Sequence, residues 1–245
     1  MAAALNGKVV VTGAASGIGG AVVERVLADG GSAVALDLDP AVETLNAHPE
    51  VLGVTADVAD PESLATAVER GARRFGRLTG AVAAAGITRS GTVDDMALDD
   101  WNRVLTVNLT AVFLLAKLTF PHFRAVGGGA FVAIASQVGL VGYPENVAYC
   151  AAKSGVVNLV RAMAVDAGPE GIRSNAVCPG PVDTPMLRQG FEQTGEDMTV
   201  VTARVPAGRV ACPAEIAATA AFLLGDDAAF VNGAVWTVDG GYTAQ

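Results

Sequence analysis

Short apolar runs alternate with longer amphipathic stretches from one end of this 245-residue chain to the other. The runs Lys8 to Thr12, Ser32 to Leu36, Leu52 to Ala56, Leu78 to Ala83, Ala130 to Ala135, Arg173 to Cys178 and Ala234 to Val238 read as strands. Most are apolar at successive positions rather than at every second one, the pattern of strands covered by helices on both faces. Between the first two runs, Ile18, Val22, Val23, Val26 and Leu27 recur at helical spacing, and Gly30-Gly31 stops the pattern. Asp60-Pro61-Glu62 supplies another helix with an N-cap, a proline at its first position and an early acidic residue. The alternation predicts an α/β fold: a Rossmann-like, doubly wound sheet of seven mainly parallel strands with right-handed crossovers. The length suits one catalytic domain over 1–245, with no visible linker or repeat. The stretch Pro179 to Pro213 reads as one long irregular loop, with a substrate loop expected near 182–210.

A hydrophobic fraction of 51% with 29 glycines fits buried strands and tight turns. The net charge of −9 excludes nucleic acid as a partner, because a phosphate backbone needs a basic surface. The most apolar helical run, Thr106 to Phe120, is broken by Asn108 and Lys117 and is too short and polar to span a bilayer. The N-terminal residues show no secretory signal pattern. Cys150, Cys178 and Cys212 are an odd number without metal-ligand spacing, so no metal is expected. A cytoplasmic protein is the expectation.

Three groups of residues carry chemistry. Thr12-Gly13-Ala14-Ala15-Ser16-Gly17-Ile18-Gly19 falls where the first strand turns into the first helix. Gly13 permits the turn, Gly17 lets the backbone approach a pyrophosphate, and Gly19 allows close helix packing. The helix start then offers amide donors and a partial positive charge to a dinucleotide. Asp37 ends the second strand, where a carboxylate accepts the adenosine ribose hydroxyls of NAD. The 2′-phosphate of NADP would be repelled there: at about 4 Å and an effective dielectric near 20, each unit-charge pair costs about 4 kcal/mol. Neither Ser16 nor Leu38 offers a compensating cation. The plain alternative for Asp37 is a cap on the following Asp39-Pro40 turn.

Tyr149 and Lys153, four apart, share one helix face. A phenol titrates near pH 10, and lowering its pKa by about three units takes roughly 4 kcal/mol of preferential stabilisation of the phenolate. A fixed ammonium is one source, and the result is an acid/base usable at neutral pH. Asp57, Ser136 and the Pro179-Gly180-Pro181 turn recur at the carboxyl ends of the predicted strands, where open α/β sheets bind ligands. Ser136 can place a hydroxyl donor on a developing alkoxide.

With the glycine loop, Asn108, Ser136, Tyr149 and Lys153 in this order, the whole chain resembles the short-chain dehydrogenase/reductase family in its compact branch. Pro179-Gly180-Pro181-Val182-Asp183-Thr184 and the Val238-Asp239-Gly240-Gly241 ending agree. The resemblance implies hydride transfer between NAD(H) and a secondary alcohol or ketone. It implies Tyr149 as general acid/base, Lys153 on the nicotinamide ribose and depressing the phenol pKa, Ser136 on the substrate oxygen, and Asn108 holding a water in the proton relay. It further implies Asp57 and Val58 beside the adenine, Val182 and Thr184 against the carboxamide, and a homotetramer or homodimer. Ala83-Ala84-Ala85-Gly86 departs from an Asn-containing segment common in the family, which puts the missing amide's hydrogen bonds in doubt. Gly86 still lets the backbone approach the cofactor. An enoyl reductase would want a different tyrosine-to-lysine spacing, and a catalytically idle NAD-binding scaffold should have lost part of the tetrad.

Val138, Tyr143, Val182, Met186, Leu187 and Phe191 are the expected pocket residues, and Arg188 or Arg204 could receive an acidic substrate group. A 3-oxoacyl thioester, a small secondary alcohol, a cyclic diol and a sugar all remain open as substrates.

Overall fold

The computed structural model describes residues 7–194 and 198–245. In chain order the main elements are β1 (Lys8–Thr12), α1 (Gly17–Ala28), β2 (Ser32–Asp37), β3 (Val51–Thr55), α2 (Pro61–Phe75), β4 (Gly80–Ala83), α3 (Leu98–Leu105), α4 (Ala111–Arg124), β5 (Gly129–Ile134), α5 (Val147–Ala167), β6 (Ile172–Pro179), α6 (Pro185–Thr194), α7 (Met198–Thr202), α8 (Pro213–Leu224) and β7 (Val235–Val238). The seven strands form one sheet in the order β3-β2-β1-β4-β5-β6-β7. Every neighbouring pair is parallel, so "mainly parallel" becomes wholly parallel. The strand order reverses direction between β1 and β4, and a ligand crevice opens at that switch point.

The continuous apolar runs are explained by burial on both faces. Val10 joins the core under α2, α4 and α5, with Leu64, Phe123 and Phe131, while Val9 and Val11 join the one under α1 and α8, with Val22 and Ile216. All three valines are fully buried. Asp60 caps α2 as its sequence predicts, accepting from Glu62 N–H at 3.0 Å, with Pro61 at the first helical position.

Two expectations change. Pro179 to Pro213 is not one irregular loop, since α6 and α7 lie inside it; they are short, and their polar residues hid the helical period. The apolar run is also longer than expected. Residues Leu98–Arg124 are continuously helical and, by length and composition, could cross a membrane, but half of its most apolar window is buried against the sheet. It reads as a core helix. A π turn, Thr106–Thr110, interrupts it at Asn108.

Candidate active site

The carboxyl ends of β1, β4, β5 and β6 open into a cavity of about 570 Å³. Its floor is the glycine loop between β1 and α1. Gly13 has φ +70°, and a Cβ there would stand 2.8 Å from Ala85 Cα, so only glycine allows the two strand-end loops to touch. A Cβ at Gly19 would lie 2.1 Å from the Gly13 carbonyl oxygen, which explains the close packing of α1 on the turn. Ser16 precedes α1 without a side-chain capping bond, so the amides of the first turn are left for a ligand in the cavity. Gly17 and Ile18 line that cavity, and Thr184 packs close to Gly17, its Cγ2 3.3 Å from where a Cβ there would stand.

At the far end, Asp37 accepts from Ala15 N–H and Asp39 N–H, each at 2.9 Å. The turn-capping alternative is therefore realised, yet the carboxylate also lines the cavity and keeps acceptor capacity for a diol. Asp57 lies two residues beyond β3 rather than at its end, just past the last bond between β2 and β3, Ala56 N–H to Asp37 O. Its carboxylate accepts from Ala59 N–H and lies 3.6 Å from Arg103 Nη2. Val58 lines the cavity beside Asp57, while Pro179, Gly180 and Val182 line it at and beyond the end of β6. The donors, the carboxylate and the bare backbone fit a dinucleotide.

The departure at Ala83-Ala84 has a local answer. Thr12 Oγ1, at the end of β1, accepts from Ala84 N–H at 3.1 Å and Ala85 N–H at 3.2 Å. This hydroxyl, buried to 3%, satisfies amides beside the glycine loop and holds β1 to the segment that ends in Gly86.

The other half of the cavity carries the proton chemistry. Ser136 follows β5 and enters a short turn, Gln137–Gly139. A Cβ at Gly139 would come within 2.8 Å of Lys153 O, so glycine lets this turn lie on α5 and brings Ser136 to Tyr149. The Ser136 hydroxyl acts on the phenol in the direction that favours its ionised form, and both side chains line the cavity. Lys153, only 4% exposed, donates from Nζ to Ile134 O at 2.8 Å and lies 5.5 Å from the Tyr149 ring centroid. Asn108 is fully buried, and its amide is committed to Ile87 O (2.9 Å), Val104 O (2.9 Å) and Ile87 N–H (3.3 Å). Asn108 Oδ1 and Lys153 Nζ both lie within 4 Å of where a Gly86 Cβ would be, so Gly86 leaves the space between them open.

The expected low phenol pKa is corrected for the protein alone. Burial pushes Tyr149 up to about 12, and the Ser136 hydroxyl offsets only part of this. Burial also pulls Lys153 down to about 8. A single buried ammonium, turned toward Ile134 O, does not outweigh the loss of water around the phenol.

A family model described as enoyl-(acyl carrier protein) reductase matches residues 13–243. The chain is 43% identical over 242 residues to the cis-4-hydroxycyclohexanecarboxylate dehydrogenase of Sinomonas cyclohexanicum, covering 96% of each. The chain belongs to the short-chain dehydrogenase/reductase family. It is also 39% identical to the meso-2,3-butanediol dehydrogenase of Serratia marcescens, over 98% of this chain and 96% of that one. A solved structure from Beutenbergia cavernae, assigned as an NAD(P)-dependent gluconate 5-dehydrogenase, matches with a TM-score of 0.90 at 35% identity, covering 97% of this chain and 96% of that one. That structure carries NADP at low occupancy.

Of the residues expected to meet substrate in this family member, Val138, Tyr143, Val182, Met186 and Leu187 line the cavity. The side chain of Phe191 lies outside the described residues. Arg188 pairs through two bonds with Asp183, at 2.8 and 3.0 Å, and does not line the cavity, whereas Arg204 does. Thr12 and Gln137 were not anticipated. Thr12 had a signal, the one polar residue closing an apolar strand before the glycine loop. Gln137, 5% exposed with its Oε1 unpartnered, had none beyond following Ser136.

Proposed function

We propose that this protein transfers a hydride between NAD(H) and a secondary alcohol or ketone, with Tyr149 as the general acid/base. The observation that carries the reading is the convergence of Ser136, Tyr149 and Lys153 beside the cradle built by the glycine loop and Gly86. The hydroxy-compound dehydrogenases it resembles share oxidation of a CH–OH donor or its reverse. The enoyl description fits less well. Ser136 and Tyr149 both present a hydroxyl to the cavity, and a carbinol or carbonyl oxygen is the group that uses both.

When bound, the nicotinamide supplies the hydride acceptor or donor and, in its oxidised form, a positive charge. Ser136 then holds the substrate oxygen while Tyr149 Oη takes its proton as the carbon–hydrogen bond breaks. Lys153 Nζ, held beside Tyr149 at the end of β5, would stabilise the phenolate and hold the ribose diol of a bound nucleotide. Asn108 braces the Ile87 backbone next to Gly86, fixing the wall past which a relay water would pass to Lys153. Gly13, Ser16, Gly17, Ile18 and Gly19 would hold the pyrophosphate, Asp57 and Val58 the adenine, and Val182 and Thr184 the carboxamide.

NAD is preferred over NADP in this reading, because Asp37 faces the ribose end and neighbouring Leu38, 61% exposed, offers no cation. The NADP in the Beutenbergia relative makes this a question for measurement. Steady-state oxidation of secondary alcohols with each cofactor tests it: NAD should give the higher kcat/KM, and a clear NADP preference would overturn the assignment. We also propose a cytoplasmic homotetramer or homodimer working as one catalytic unit per chain. Val165 on α5 is 76% exposed, and Phe222 and Trp236 stack at 5.3 Å on the outer face of α8 and β7, surfaces that suit contacts between copies.

A further inference from the structure

Three arginines line the described cavity. Arg89 lies 3.7 Å from Asp100 and Arg103 lies 3.6 Å from Asp57. Arg204 differs: among the described residues no carboxylate pairs with it. Its guanidinium sits over the Tyr143 ring, 5.9 Å from the centroid. Its backbone is fixed, with Arg204 N–H donating to Val201 O at 3.2 Å and Gln245 Nε2 donating to Arg204 O at 3.0 Å. The base of the side chain is therefore held while the exposed fork faces the cavity mouth.

Charge around the cavity is divided. The carboxylates that line it, Asp37 and Asp57, belong to the nucleotide end. At the other end Ser136 and Gln137 carry no charge, and of the cations there Lys153 is turned to Ile134 O, which leaves Arg204 at the cavity. A cation that no carboxylate among the described residues pairs with thus lines the cavity of a chain whose net charge is −9. Met186 and Leu187, which line the same cavity, suit an apolar body. A guanidinium fork matches a planar oxyanion through two parallel hydrogen bonds.

We propose that Arg204 receives a carboxylate on the substrate, so that the preferred substrates are secondary alcohols, or their ketones, bearing a carboxylate away from the reacting carbon. This rests on hydride transfer at Tyr149 and names the substrate class of that site. Arg204 is a specificity residue and takes no part in moving the proton.

The test compares a hydroxycycloalkane carboxylate with its primary amide, which has nearly the same shape without the charge. Two readouts are used: kcat/KM for NAD reduction, and calorimetric binding of each compound to the protein–NADH complex. The wild-type protein should favour the carboxylate by roughly tenfold or more in both, the worth of a charged hydrogen bond. Arg204→Gln should collapse that ratio toward one, mainly through KM, and Arg204→Lys should restore part of it. The preference should also weaken at high ionic strength. A ratio unchanged by Arg204→Gln, or a preference for the amide, overturns the proposal even if both compounds are oxidised. Arg204-dependent carboxylate binding without any NAD reduction would support the site and count against hydride transfer. A sulfonate analogue bound more tightly than the carboxylate would overturn the choice of carboxylate.

Discussion

Replacing Lys153 by methionine separates the cost of burying this ammonium from its use. The side chain is 4% exposed, and burial lowers its pKa from 10.5 to about 8. Because the folded pKa lies below the unfolded one, the unfolded chain holds more protons between those values. Stability therefore rises with pH across that window and is lost as pH falls through about 8. At about 1.4 kcal/mol per pKa unit, keeping the charge buried at neutral pH costs about 3 kcal/mol. From about pH 7 to about pH 9 only part of this is recovered, about 1 kcal/mol. Cys178 and Tyr149, raised to about 11 and about 12, act in the opposite direction, removing stability as pH rises toward those values, mostly above that range. Methionine keeps most of the stem but leaves Ile134 O without its donor, a loss of about 1–3 kcal/mol. The variant should therefore be close to wild type in stability at neutral pH. Urea denaturation at the two pH values should show the gain in the wild-type protein and its absence in Lys153→Met. Equal gains in both proteins, or a wild-type stability that falls over this range, would refute the assignment of the buried charge to Lys153.

Thr12→Val keeps the shape of the β1 terminus but strands the amides of Ala84 and Ala85; thermal or urea unfolding should show a loss of about 2–4 kcal/mol, and a loss below about 0.5 kcal/mol would show that water replaces the hydroxyl. Asp37→Asn should raise the NADP-to-NAD ratio of kcat/KM by up to roughly 10³-fold, given the repulsion of about 4 kcal/mol per charge pair; an unchanged ratio would remove Asp37 from cofactor choice. Alcohol oxidation should rise with pH over the neutral to alkaline range, because burial holds the phenol protonated and the reaction needs its proton removed; a rate flat in pH would contradict this, provided the chemical step limits turnover.

The fold was legible because each strand carries its burial pattern in its residues. Val9, Val10 and Val11 are all apolar, and the structure buries them on alternate faces of a sheet covered by helices on both sides. The catalytic half was legible through spacing, since Tyr149 and Lys153 fall one turn apart on α5 whatever surrounds them. Their electrostatics were not. The phenol is raised rather than lowered because the cost depends on packing against residues distant in sequence, Val104 among them, that no local pattern records. Likewise, Arg188 and Arg204 look equivalent in sequence; only the fold sets Asp183 against one and the face of Tyr143 against the other. The helices inside Pro179 to Pro213 were missed because a polar, glycine-containing segment such as α6 has little apolar period to read.

Tyr149→Phe tests the central claim most directly. The phenylalanine keeps the ring beside Lys153 and removes only the phenol hydroxyl. NADH formation from a secondary alcohol that the wild-type protein oxidises should fall by about 10²–10⁴-fold, while NADH binding measured by fluorescence stays near the wild-type value. Turnover close to that of the wild type with this variant would contradict Tyr149 as the acid/base.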